Sequence, residues 1–215
     1  SLWEANAHQE FLSSTDEHHA DGDGISGRPN WVWDYTHQSR QLGRFGWKAS
    51  QPSVRQQIAT AALHDIGLTS SLFPEENVTP TQVDAVNAPR GSTVDLSDEY
   101  LDKLVFYTKT LAVPARRDID DPQVNQGHEL FLQMGCARCH VPQWTTGQDP
   151  DFPELSNQVI YPYTDMLLHD MGEGLSDDRP EFEATGREWR TPPLWGMGII
   201  PIVNLHTNYL HDGRA

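Results

Sequence analysis

Only two of the 215 residues are cysteine, Cys136 and Cys139, which leaves no thiols for a disulfide scaffold. Basic residues are also scarce. Fifteen Lys and Arg face 31 Asp and Glu, a formal charge of −16. That balance excludes a nucleic-acid binder, which needs clustered cations. No run of 18 apolar residues occurs, so the sequence holds no membrane-spanning helix. Apolar residues make up 37% of the chain, and mean hydropathy is −0.60. Strand signals are weak and confined to Val159–Tyr161 and Ile199–Val203. Glycine (16) and proline (15) are plentiful, about one residue in seven, and point to much irregular backbone. A chain of this make-up needs something beyond its own core to hold it together, such as a metal or a cofactor.

The acidity is spread out. Residues 1–115 carry a net −7 and residues 116–215 a net −9. This reads as a solvated surface, and also as a field that attracts a basic redox partner.

Helical signals dominate what regularity there is. Leu2–Ser13 reads as a short helix. Pro52 in a first turn, apolar spacing at Ile58, Ala61 and Ala62, and a stop at Gly67 predict a helix over Gln51–Asp65. Ser97 and Asp98 cap a second, over Leu96–Leu111. Asp121-Pro122 opens a third, which runs into the cysteines. Tyr163–Leu168 is a further helical candidate; Trp31–Gly46 and Pro74–Ser97 read as irregular. The expected fold class is mainly α.

Gly43-Arg-Phe-Gly-Trp-Lys48 resembles Gly186-Arg-Glu-Trp-Arg190, and each is followed by proline and then by Leu-His-Asp, ending at Asp65 and Asp212. If these are copies of one unit, the offset of 143 positions puts the earlier partner of Cys136 before residue 1.

The chemistry lies in Cys136-Ala-Arg-Cys139-His140. In a C-x-x-C-H run the two thiols add across the vinyl groups of haem, and the histidine is delivered to the iron. Two other readings compete. A redox dithiol expects a strand before it and a βαβ setting, where here a helix precedes. Zinc expects four ligands, and the second Cys pair is missing, although His128 and His169 are possible partners. A covalent haem also supplies the apolar plate that a loop-rich chain can wrap. Thioether formation occurs outside the bacterial cytoplasmic membrane, so the expected compartment is the periplasm.

The sixth iron ligand separates electron transfer from peroxide chemistry. Candidates are Met171, Met197, His169, His206 and His211, of which a non-ligating histidine would serve as acid/base on bound peroxide. Asp21 and Asp23, within His19-Ala-Asp-Gly-Asp-Gly24, read as a calcium loop or as a plain acidic turn. Arg190 and Arg44 suit haem propionates. Trp47 and Trp189, at matching places in the two similar runs, pack on a haem or the core, or relay electrons.

Three runs carry a family resemblance: Tyr163-Thr-Asp-Met-Leu-Leu-His-Asp-Met-Gly172, Glu188-Trp-Arg-Thr-Pro-Pro-Leu-Trp-Gly196 and Leu210-His-Asp-Gly-Arg-Ala215. Together with Ala20–Asn30 and Gly43–Ala49, they resemble the bacterial di-haem oxidoreductases, labelled as thiol oxidoreductases or peroxidases. That family is similar to the di-haem cytochrome c peroxidases and the di-haem enzyme of methylamine utilisation. The resemblance implies two cytochrome c-like domains in pseudo-twofold arrangement, with calcium near the haems. Residues 1–115 would be the remainder of the N-terminal domain, its haem motif upstream. Residues 116–215 would be a truncated C-terminal domain. It further implies a second haem c that feeds electrons to the C-terminal haem, where hydrogen peroxide is reduced. His140 would be the proximal ligand and His211 the distal histidine, with the sixth ligand beyond Ala215. The alternative is an electron-transfer cytochrome c without substrate turnover.

Overall fold

The computed structural model describes residues 12, 15–17, 22, 24–91 and 94–214. The helix expected at Leu2–Ser13 lies, apart from Leu12, outside them, as do Asp21 and Asp23.

The described residues form five short helices and three two-stranded antiparallel sheets. The fold is therefore mixed α and β, and the expectation of a mainly α fold is corrected. Two elements account for much of the difference. Trp31–Asp34 (β1) and Ser39–Leu42 (β2) form a hairpin where irregular backbone was expected. Its turn lacks the usual Asn-Gly signal. Instead the Asp34 carboxylate accepts from the backbone N–H groups of Thr36 and His37 at 2.7 and 3.0 Å and pairs with His37 Nδ1 at 2.8 Å. The run 163–168 is not a helix either: Tyr163 and Met166 have φ of +55° and +60°, which a right-handed helix cannot contain. It leads instead into a strand, Leu168–Asp170.

Three helices follow their sequence signals. Val54–Ile66 (α1) starts where Ser53 accepts from the Gln56 N–H and ends at Gly67, φ +71°. After a single turn at Val83–Val86 (α2), Asp98–Thr110 (α3) is capped by Ser97 and packs across α1. Pro122–Gln133 (α4) is capped by Asp121 and runs to Gly135, φ +79°. Trp144–Thr145 (β3) pairs with Val159–Ile160 (β4), as the strand signal there suggested. Leu168–Asp170 (β5) pairs with Glu188–Arg190 (β6). The run Ile199–Val203, expected as strand, lies in a short helix, Ile200–Asn204 (α5). Pro201 sits in its first turn, a position where proline's fixed φ favours helix.

The two similar glycine-tryptophan runs meet. The Arg190 N–H donates to the Trp47 carbonyl at 2.8 Å, and Ala49, Leu168 and Ala184 form a buried apolar cluster between them. Gly43 and Gly186 allow tight packing within each run's own loop. A Cβ on Gly43 would stand 1.7 Å from the Ala49 carbonyl oxygen, and one on Gly186 2.7 Å from Asp178 Cα. Arg28 adds a bidentate pair to Glu188 at 2.6 Å for each bond, and buried Asn30 donates to the carbonyls of Lys48 and Glu181. Segments on either side of residue 115 are thus bonded into one framework.

Candidate haem site

Helix α4 delivers the cysteine motif. Its last turn closes through the N–H groups of Met134 and Gly135, and Gly135 turns the chain straight into a 3-10 turn, Cys136–Arg138. The His140 N–H donates to the Cys136 carbonyl at 2.9 Å, so both thiols and the histidine share one tight turn. The motif then zips onto the strained stretch at 163–166. The N–H of Asp165 donates to the Cys139 carbonyl (2.8 Å), and that of Thr164 to Val141 (3.0 Å). Trp144 Nε1 donates to the Thr164 carbonyl at 2.7 Å, and the Thr164 hydroxyl to that of Thr191 at 2.6 Å. Positive φ at Tyr163 and Met166 is the conformational cost of this fit, held in place by that network.

His140 is orientated by its neighbour. Its Nδ1 lies 2.8 Å from the Tyr163 carbonyl. A carbonyl can only accept, so Nδ1 carries the proton and Nε2 keeps its lone pair for a metal. The Tyr163 ring is in turn packed edge-on by Phe131 and His128 of α4, with centroids 5.4 and 6.5 Å away.

Beside the turn is a buried pair, Asp165 and His169, of which the sequence singles out only His169, as a candidate iron or zinc ligand. His169 Nε2 lies 2.8 Å from Asp165 Oδ2, while its Nδ1 lies 4.0 Å from Cys139 Sγ. Burial disfavours the charged imidazolium. The hydrogen bond to Asp165 and the contact with Cys139 outweigh it and push His169 up to about 10. The three donor groups come together closely enough for a metal. However, the imidazole stands between sulfur and carboxylate with one nitrogen toward each, the arrangement of a hydrogen-bonded triad more than of ligands converging on one ion.

His169 and Trp189 are register partners across β5 and β6 and so share a face. Trp189 stacks on His211 with centroids 3.5 Å apart, and its Nε1 donates to the Leu175 carbonyl at 2.9 Å. The ammonium of Lys48 lies 4.4 Å from the indole centroid. Lys48 is fully buried and donates to Asp177 and to the carbonyls of Arg179 and Thr185. A run of side chains therefore leads from Cys139 to half-buried His211. Trp47, by contrast, is exposed.

Arg190 sends its Nε to the Gly46 carbonyl (2.9 Å) and Nη1 to that of Thr191 (3.1 Å). Its burial lowers it to about 10 against the opposing charge of Asp165. Met171 has about half its surface open, at 49%. Among the described interactions it makes none with Cys136, Cys139 or His140.

The residues present fit a haem. Cys136 and Cys139 are free, half-buried thiols. Helix α4 buries none of its side chains, and Leu130, Leu132 and Met134 beside the motif are 49%, 41% and 77% exposed. An apolar plate anchored at the turn would cover surface of this kind. The family model described as "di-haem oxidoreductase, putative peroxidase" matches residues 1–215.

The chain belongs to the di-haem oxidoreductase family.

Membership brings haem as the cofactor, and within this di-haem oxidoreductase the turn at 136–140 is the site with the donor set to hold it. No curated protein and no solved structure matches the chain.

Proposed function

We propose that this di-haem oxidoreductase holds a haem c through Cys136 and Cys139 and reduces hydrogen peroxide, H₂O₂ + 2 e⁻ + 2 H⁺ → 2 H₂O. The observation that carries the reading is His140, set on the same turn as both thiols with Nδ1 bonded to the Tyr163 carbonyl and Nε2 left free. When bound, the haem supplies a redox-active iron at which the O–O bond is reduced. The chain's residues do the rest. Cys136 and Cys139 would hold the macrocycle, His140 would ligate the iron, and His211, steadied by Trp189, would move protons to and from the peroxide substrate. Electrons come from a second haem c in the full protein and from an external donor, for which the charge of −16 favours a basic partner. The compartment is the periplasm, where c-type haem is attached, and Asp21 and Asp23 contribute to a calcium site.

A second reading has one observation in its favour. Met197 lines the groove to which Tyr163 also belongs. If the Met197 thioether also ligated the iron, the protein would be an electron-transfer cytochrome.

The deciding experiment takes the haem-loaded protein. A reduced pyridine haemochrome and intact mass should give a c-type spectrum and covalent haem on this segment, lost in the Cys136→Ser/Cys139→Ser variant. A high-spin ferric signal with rapid cyanide binding supports the peroxidase; a low-spin, unreactive iron supports the cytochrome. Absence of covalent haem overturns both.

A further inference from the structure

Two arginines that the site description leaves unused line one groove. The segment joining α3 to α4 runs past the turn at 194–199 and leaves cavities of about 670 and 420 Å³ that share Pro114, Arg116, Tyr161 and Trp195. These volumes are typical of cofactor and small-molecule sites, roughly 300–1,000 Å³. Tyr163, whose carbonyl orients His140, forms part of the larger one. The groove therefore opens beside the haem motif, and its walls mix apolar and aromatic residues with Arg116, Arg117 and Asp118.

Its cations are Arg116 and Arg117. The Arg116 guanidinium lies 5.4 Å from the Tyr161 ring centroid. Arg117 reaches over Gly198, where a Cβ would stand 2.9 Å from one of its terminal nitrogens. The glycine leaves room for the guanidinium. In a chain with twice as many acids as bases, a pair of adjacent arginines would be expected to find carboxylates. Most of the other cations do, as in Arg28–Glu188, Arg40–Glu183, Arg55–Asp98 and Arg187–Asp170. Among the described residues, Arg116 and Arg117 form no ion pair. The groove thus combines aromatic and apolar walls with two guanidinium groups that hold no carboxylate among the described residues.

From this geometry we infer that Arg116 and Arg117 receive the propionate carboxylates of the haem held at Cys136–His140. Haem carries two carboxylates on one edge of an apolar plate, and guanidinium pairs with carboxylate through parallel hydrogen bonds. Arg190, the sequence's own choice for this task, spends Nε and Nη1 on backbone carbonyls. The inference rests on the proposed c-type haem and assigns its polar edge.

The test uses the full haem-loaded protein, with spectroelectrochemical potentials recorded as a function of pH. Arg116→Gln/Arg117→Gln should keep its covalent haem. Its midpoint potential should fall by at least a tenfold change in the reduction equilibrium, about 59 mV for a one-electron couple, because two cations that disfavour the ferric charge are gone. The propionate ionisation in the potential–pH curve should move to higher pH. Arg116→Lys/Arg117→Lys should stay near wild type, and Arg90→Gln, which removes an exposed cation paired with Glu75, should leave the curve unmoved. Gly198→Ala displaces Arg117 without removing charge, should give a smaller shift in the same direction, and serves if the double variant loads poorly. Wild-type curves in both the double glutamine and the glycine variants overturn the assignment. A wild-type protein without a c-type haemochrome would instead sink the haem reading beneath it.

Discussion

Trp189 lies flat against His211, with ring centroids 3.5 Å apart and planes 14° from parallel. The indole is itself tied down by its N–H to Leu175 and by the buried Lys48 ammonium near its ring. His211 thus takes its position from a neighbour that has little freedom.

Trp189→Leu should therefore act on His211 without touching the haem motif. Peroxide turnover should drop at least tenfold at unchanged covalent haem content, while Trp189→Phe, which preserves a stacking face, should keep most of it. His211→Ala should lose as much as Trp189→Leu. Steady-state kinetics on haem-quantified protein decide the matter, and full turnover in His211→Ala would remove that residue from the mechanism.

His169 predicts a pH dependence of stability. Its value is raised from 6.5 to about 10, so the folded state binds the proton more tightly than the unfolded chain. The stabilisation is complete below about pH 6.5 and is lost as pH rises through about 10. Urea midpoints measured from pH 6 to 10.5 should fall across that window in the wild type and much less in His169→Gln. Thioether formation removes the ionisable thiol of Cys139, so the window should end at lower pH in the haem-loaded protein than in the Cys139-thiol form.

Lys48→Met should cost about 3 kcal/mol in chemical denaturation. It strips a fully buried ammonium from Asp177 and leaves the carbonyls of Arg179 and Thr185 without their donor. A loss below 1 kcal/mol would mean that water replaces the ammonium.

Gly43→Ala and Gly186→Ala should each unfold or strongly destabilise the protein, by more than ~3 kcal/mol, because the added carbon meets backbone atoms that cannot move independently. Gly91→Ala, with nothing within 4 Å, should be neutral. Thermal melts of the three variants give the comparison.

Local chemistry explains which parts were legible in the sequence. Ser53, Ser97 and Asp121 cap helices through bonds to residues two or three positions away, so the cues lie within one turn of chain. The C-x-x-C-H run is legible for the same reason. The hairpin at 31–42 was not, because its turn depends on a side-chain carboxylate, Asp34, and not on a glycine-bearing dipeptide. Asp165 and His169, four apart, would meet on a helix. They meet here across a turn at Met166, φ +60°, that leads into β5, because the segment is pulled out of helical geometry by its bonds to Cys139, Val141 and Thr191.

The donor set at 136–140, the three capped helices, the acidic charge and the family are written in the primary structure. Each depends on residue identity over a few neighbouring positions or on a pattern of whole motifs. The tertiary structure alone decided that His169 stands between Cys139 and Asp165 and that Trp189 carries His211. It also decided that the runs at 43–48 and 186–190 meet through the Arg190 N–H and the Trp47 carbonyl, and that Arg116 and Arg117 line the groove beside the motif. Those relationships join residues distant in the chain, and they arise when backbone groups of loops with few internal hydrogen bonds find their partners in other loops.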